Sequence, residues 1–375
     1  MRGERWAWVD VDLDAVRHNV RRLAEVAAPA RLLAVVKADA YGHGAVPVAE
    51  AALEAGAHGL AVALVQEGIE LRRAGIEAPI LVLSEQPVEQ VPDLVAHGLV
   101  ATVYTIPYID LLAESARGVD VTNVEVHLKI DTGMHRVGAQ PGAAVELAGR
   151  LAARAPQLTV GGVFTHLSSA DSPDSDETDR QLAIFDKVLE DLRRAGHSPE
   201  LVHVANSAGT LAHPRARRDL VRTGIAMYGI APDPALDQLC RDLRPAMSLR
   251  ARVSLVKTVR AGDGVSYGLR HRFSEAARVA TVPIGYADGV PRRLFGTGGE
   301  VLIRGRRRPI VGVVTMDQLM VEVDDDVSEG DVVTLFGVDE FGECIEANEW
   351  AARLGTIGYE IVCAVSARVP RRHSP

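Results

Sequence analysis

Cysteine is scarce. Cys240, Cys344 and Cys363 stand far apart and form no C-x-x-C pair, which excludes a disulfide framework and suggests no zinc site. The twelve histidines are scattered and H-E-x-x-H is absent, so the metalloprotease pattern is excluded as well. No metal is expected. Basic charge is in deficit: 41 Lys and Arg face 50 Asp and Glu, for a net charge of −9. A general nucleic-acid binder is not expected from that balance. No apolar run approaches a membrane span, and residues 1–11 have no apolar signal core, so the expectation is a cytoplasmic protein with no membrane partner. The turn after the first buried strand lacks G-x-G-x-x-G, which argues against a dinucleotide fold. There is no internal repeat and no low-complexity tract.

What is present is ordinary globular composition, 47% hydrophobic and 24% charged, in 375 residues. That length fits one large and one smaller domain. From about residue 30 to 230, short apolar runs alternate with amphipathic stretches. Strands are expected at 32–36, 59–63, 80–83, 100–104, 124–130, 160–165, 201–204 and 221–227. Helices are expected between them, among them 141–154 and 176–194. The second begins with acids, ends with arginines and stops at Gly196, as the helix dipole and the glycine C-cap require. Eight such alternations favour an α/β fold of the (β/α)8 TIM-barrel type over an open sheet.

After about residue 240 the pattern turns β-type, with runs at 252–259, 278–283, 301–304, 310–314, 319–323, 332–336 and 361–369. Only 346–354 reads as a helix there. The expected division is a barrel over 12–240 and a mostly β domain over 241–375, joined by the opening strand within 1–11. The basic cluster Arg304, Arg306, Arg307 and Arg308 lies between two β-type runs and reads as a solvated hairpin tip.

The first strand ends on Lys37, in Ala34-Val35-Val36-Lys37-Ala38-Asp39-Ala40-Tyr41-Gly42-His43-Gly44. A lysine there is costly unless it is paired or chemically used. Desolvation lowers its pKa and makes the amine a nucleophile able to form a Schiff base. The alternative is a lysine that snorkels into solvent. Other polar residues recur at strand ends: Asp131 to Arg136 after the fifth strand, His166 closing the sixth, Asn206-Ser207 after the seventh, and Arg222 with Gly224-Ile225 at the eighth. Barrel chemistry sits at that end, and phosphates often bind the loops after strands seven and eight. Ser207 offers a hydroxyl and Gly224 a close backbone approach. A phosphorylated cofactor beside a Schiff-base lysine points to pyridoxal phosphate.

These segments resemble the alanine racemases. The lysine motif at 36–44, Lys129-Ile130-Asp131-Thr132-Gly133-Met134-His135-Arg136, Asn206-Ser207 and Arg222-Thr223-Gly224-Ile225 match in order. So do Tyr267-Gly268, Gly285-Tyr286-Ala287-Asp288-Gly289, Met316-Asp317 and Ile357-Gly358-Tyr359-Glu360. The similarity runs from about residue 5 to 370. It implies a barrel plus a β domain, pyridoxal 5'-phosphate, and interconversion of L- and D-alanine in a homodimer, supplying D-alanine for peptidoglycan.

Residue by residue, the resemblance implies that Lys37 holds the cofactor and is the base on one face of the substrate. Tyr267, from the other subunit, is the base on the opposite face. Tyr41, Ser207, Gly224, Ile225 and Tyr359 would bind the phosphate, and Arg222 would face the pyridine nitrogen. Arg136 and the Met316 backbone would hold the substrate carboxylate. His166 would sit behind the catalytic tyrosine, and Lys129 is a candidate for carbamylation. Two bases suit the reaction, because racemisation removes a proton from one face of Cα and returns one to the other. An arginine is always protonated and only donates, so at the pyridine nitrogen it would keep that nitrogen unprotonated and the ring a weaker electron sink.

The sequence departs from the family at Val313, where arginine is usual, and at Thr315, where cysteine is frequent. Thr315 is expected to donate to the cofactor ring oxygen. The valine opens the alternative of a broader amino-acid racemase of the same fold. A decarboxylase would be expected to carry an acid in place of Arg222. A non-catalytic cofactor-carrying regulatory protein would resemble the barrel alone.

Overall fold

The computed structural model describes residues 5–172 and 174–375. An opening strand, β1 (Ala7–Asp12), is followed by β2 (Arg31–Val35), β3 (Gly59–Val62), β4 (Ile80–Val82) and β5 (Ala101–Val103). Then come β6 (Val124–Lys129), β7 (Leu158–Phe164), β8 (Leu201–His203), β9 (Leu220–Thr223) and β10 (Met247–Arg252). β2 to β9 are rich in Val, Leu, Ile and Ala and pair in parallel, in the order β4-β3-β2-β9-β8-β7-β6-β5. Near-continuous apolar runs suit parallel strands covered on both faces. The ring closes between β4 and β5, where the Val82 amide donates to the Val100 carbonyl at 2.9 Å and the Val100 amide to Ile80 at 2.9 Å. The expected barrel and its eight strands are therefore present.

The last barrel strand ends well before the expected residue 227. β9 stops at Thr223, because Gly224 turns the chain (φ −115°, ψ −98°) into a 3-10 turn at Ile225–Tyr228. The helix Glu177–Arg194 ends in Arg193 and Arg194, with Gly196 at φ 84° just beyond.

A second, ten-stranded sheet holds most of the chain after 246. β1 enters it, antiparallel to β10 and parallel to Arg371–Ser374. The expected run 252–259 is two strands, β10 and Leu255–Val259, which lie at different places in that sheet. The expected strand at 361–369 is absent. Gly358–Cys363 is a helix instead, a second one beside Ala347–Leu354, and its apolar face (Ile361, Val362) is buried. The basic cluster also differs in part. Arg304 and Gly305 turn between Glu300–Ile303 and Arg306–Val311, but Arg308 is buried and paired with Asp324 and Asp326.

Candidate active site

A cavity of about 580 Å³ opens at the C-terminal ends of the barrel strands, and Lys37 and Tyr41 line it. The backbone that carries them is unusual. Ala38, Asp39, Ala40 and Tyr41 all lie in the left-handed region, with φ between 51° and 54°. An L-residue pays about 1–2 kcal/mol for this conformation, so the turn must be held by its surroundings. The Asp39 carboxylate accepts the Ala45 amide at 2.7 Å, and Glu67 accepts the Ala38 amide at 2.6 Å. The C-terminal strand contributes as well. Arg371 donates to the Gly42 carbonyl at 3.0 Å and His373 to the His43 carbonyl at 2.8 Å.

Arg371 also donates to the carbonyls of Ser366, Val369 and Val365 at 2.6–2.7 Å. Arg371→Ala is therefore expected to cost about 1–3 kcal/mol by stranding these acceptors. Denaturant unfolding, read alongside the near-UV signal of the folded chain, measures it. Both values unchanged would contradict the clamp.

Burial pushes the Lys37 amine below its ordinary range, and the Arg136 cation pushes it further. The side chain turns into the cavity. Lys129 also lines the cavity, buried, and donates to the Leu83 carbonyl at 2.9 Å. Desolvation, with Arg222, Arg136 and Lys37 nearby, brings it down to about 7. The chain has four lysines (37, 129, 187 and 257) among its 41 basic residues, and two of the four face this cavity. That scarcity was a usable signal.

Arg136 stands on the loop after β6. The loop is pinned at its base, where the Asp131 amide donates to Ala139 and the Ala139 amide to Lys129, both at 2.8 Å. Asp131 then accepts the amides of Gly133 and His135 at 3.0 Å, which shapes the turn before Arg136.

Arg222 is buried, and burial lowers it to about 9, still protonated at neutral pH. It donates to the carbonyls of Thr165 and Val204 at 2.8 and 2.9 Å, and to ring nitrogens of His203 at 2.8 Å and His166 at 3.3 Å. Phe164 packs beneath, 5.1 Å from the Arg222 guanidinium and 5.2 Å from the Lys129 amine. Desolvation and the Arg222 charge keep His166 well below its usual range, and therefore neutral.

The loops after β8 and β9 form a cradle. The Ser207 hydroxyl accepts the amides of Gly224 at 2.9 Å and Ala226 at 3.3 Å, so its own proton is free to donate. A Cβ on Gly224 would lie 2.5 Å from the Tyr41 hydroxyl, so only glycine lets that phenol close over the backbone. Tyr359 and Ile225 complete the wall, and the Tyr41 and Tyr359 rings stand 6.0 Å apart. Hydroxyls, backbone and glycine converge here, with a nucleophilic amine and a fixed guanidinium beside them. This set fits pyridoxal phosphate.

Tyr267 and Met316 are not brought to this cavity. In the same chain both are exposed, by 70% and 52%. They belong to one loop cluster, joined by Ser266 donating to Val313 at 2.5 Å and by the Tyr286 and Ala287 amides donating to Thr315 and Met316 at 3.0 Å. The Thr315 hydroxyl donates to Gln318 at 2.7 Å, and Val313 is buried. Sequence reading missed Glu67, Phe164, His203, Arg371 and His373. No local pattern marks them.

Among the described residues no group of His, Cys, Asp and Glu could hold a metal ion, and no helix is long and apolar enough to cross a membrane. Residues 11–232 match the family model for the alanine racemase N-terminal domain, and residues 246–373 the model for the C-terminal domain. The chain is 48% identical to the alanine racemase of Symbiobacterium thermophilum, covering 98% of this chain and 97% of that one. It is 45% identical to that of Thermobifida fusca, covering 96% of each. The solved alanine racemase of D-cycloserine-producing Streptomyces lavendulae superposes with a TM-score of 0.94 at 41% identity, covering 100% and 98% of the two chains. The Bacillus anthracis enzyme with bound L-Ala-P gives 0.91 at 42%, covering 100% and 96%.

Proposed function

This chain belongs to the alanine racemase family and interconverts the enantiomers of alanine; we propose that it does so between two bases, Lys37 of one subunit and Tyr267 of another, on pyridoxal 5'-phosphate. The observation that carries this reading is the split site: a desolvated lysine inside the barrel cavity, and a tyrosine 70% exposed on the β part of the same chain. Exposed Tyr267, Leu269, Tyr286 and Met316 are the kind of surface a homodimer covers. The division at 12–240 and 241–375, with 1–11 joining the β part, belongs to the same reading.

When bound, pyridoxal phosphate supplies the electron sink for charge left on Cα. Ser207, Tyr41, Tyr359, Gly224 and Ile225 would bind its phosphate, and Lys37 would hold it through its amine. Arg222 would face the pyridine nitrogen and, staying protonated and able only to donate, would keep that nitrogen from taking a proton. Arg136 and the Met316 backbone orient the substrate carboxylate. Lys37, with lowered basicity, carries a proton on one side of Cα, and Tyr267 on the other. His166 accepts from Arg222 at Nδ1, which leaves a proton on Nε2 to donate towards the Tyr267 oxygen. The protein works in the cytoplasm, and its D-alanine supplies peptidoglycan synthesis.

A chiral assay of the purified protein on L-alanine, L-serine and L-lysine, with its absorbance spectrum, tests the reading. Alanine is expected to turn over fastest, with a visible cofactor band. A colourless protein with no turnover would overturn it, and serine or lysine turning over faster would favour the broader racemase that Val313 suggests.

Lys129 is proposed to be a carbamate. At a pKa of about 7 the amine is partly neutral at neutral pH, so its nitrogen bonds the carbon of CO₂ and releases a proton. The free-amine fraction rises as pH rises through about 7, and the carbamate with it. Its anion would sit between Arg136 and Arg222. A carbamate carbon resonance from ¹³C-bicarbonate at neutral pH, lost on acidification, is expected. A bare ammonium at Lys129 throughout would contradict it.

A further inference from the structure

A second cavity, of about 410 Å³, opens at the opposite end of the barrel, where Glu125, His127 and His58 line it. It is joined to Arg222 by an unbroken line of hydrogen bonds through the barrel interior. Arg222 Nη1 meets His203 Nδ1 at 2.8 Å, His203 Nε2 meets His127 Nδ1 at 2.8 Å, and His127 Nε2 meets Glu125 Oε1 at 3.0 Å. Both imidazoles are buried, while the Glu125 side chain is 43% exposed.

The two ends fix every proton between them. A guanidinium only donates and a carboxylate only accepts. His203 must therefore accept at Nδ1 and carry its proton on Nε2. His127 must do the same, and its Nε2–H is what Glu125 accepts. A proton on the wrong nitrogen of either ring would set two donors face to face. The His127 hydrogen bond holds the Glu125 carboxyl below its ordinary range, so the acceptor is ionised. Desolvation and Arg222 keep His203 neutral.

The neighbouring strand is built around this line. β6 and β7 slip register at Val126/His127, so that His127 pairs with Gly162. A Cβ on Gly161 would collide with the Glu125 carboxylate, and one on Gly162 would lie 2.8 Å from His127 Nδ1. Phe164 stacks on His203 at 4.5 Å and 9°. Two glycines and a bulge thus clear the path, and an aromatic ring fixes its middle.

We propose that Glu125 is a positioning residue for racemisation. From the far end of the barrel it sets the tautomers of His127 and His203, and through them the donor geometry of Arg222. This rests on the reading that Arg222 serves the cofactor's pyridine nitrogen. The distant cavity would then be the solvent-side anchor of that nitrogen's environment.

Glu125→Lys replaces the acceptor with a donor, while Glu125→Gln keeps an acceptor. In the holoenzyme, ¹⁵N-histidine spectra should show Nε2–H tautomers for His127 and His203 in the wild type and in E125Q. E125K should move both to Nδ1–H. It should lower kcat by about 10- to 100-fold, change KM little, and shift the visible band of the bound cofactor. E125Q should behave as wild type in all three. Wild-type tautomers in E125K, or switched tautomers with unchanged kcat and band, would overturn the proposal. Arg222→Lys, measured in parallel, reports on the underlying reading. If it leaves band and turnover unchanged, Arg222 does not serve the cofactor, whereas the histidine spectra still decide whether Glu125 sets the tautomers.

Discussion

Lys37→Ala should abolish racemisation, a loss beyond ~10⁴-fold, because in the proposed mechanism one side chain is both the covalent hold on the cofactor and a proton carrier. The visible band of covalently held pyridoxal phosphate should vanish with it. The control is Lys129→Ala. Lys129 is the other lysine lining the cavity, and its amine is also pushed down, to about 7. Loss of covalent attachment in K37A but not in K129A assigns the hold to Lys37; the reverse would assign it to Lys129. The left-handed turn favours Lys37. Four strained residues, braced by Glu67, Arg371 and His373, place its amine and the Tyr41 phenol in one cavity.

Tyr267→Phe should lower turnover by ~10²–10⁴-fold, the range expected for one general acid–base group. Within its own chain its side chain is 70% exposed, so loss of the hydroxyl should leave the stability of that chain's fold within about 0.5 kcal/mol. A drop in activity then reports on chemistry and not on folding. The variant should also become asymmetric. Lys37 would still remove a proton from one face, so one enantiomer of alanine should keep exchanging its Cα hydrogen with D₂O while the other stops. Equal exchange of both enantiomers in Y267F would mean that a single group reaches both faces.

Much of this was legible because it is written in short-range pattern. Buried runs such as 59–62 and 80–82 show the barrel strands directly, and Lys37, His166, Ser207 and Arg222 come together because the first three follow a strand and Arg222 lies within one near its C-terminal end. The conformation at 38–41 was not legible. Ala-Asp-Ala-Tyr contains no glycine to announce φ near +53°, and the groups that brace it from outside, Glu67, Arg371 and His373, lie far off in sequence. The line from Arg222 to Glu125 was hidden for a similar reason. His127 and His203 sit inside apolar strands, and only the barrel's closure brings them within 2.8 Å. The run 361–369 failed as a strand because Ile361, Val362 and Val365, β-branched and apolar, also form the buried side of a short helix and the turn after it. Arg308 looked like surface charge until Asp324 and Asp326 covered it.

The central claim is that each active site takes its lysine from one chain and its tyrosine from another. Mixing inactive K37A with the strongly impaired Y267F, after reversible dissociation, tests it most directly. In a mixed dimer one site then carries both lesions and the other carries none. With random pairing, activity should return to roughly a quarter of the wild-type value, as two-fold symmetry requires. If both bases came from the same chain, every site would keep one lesion, and no activity would return at any mixing ratio.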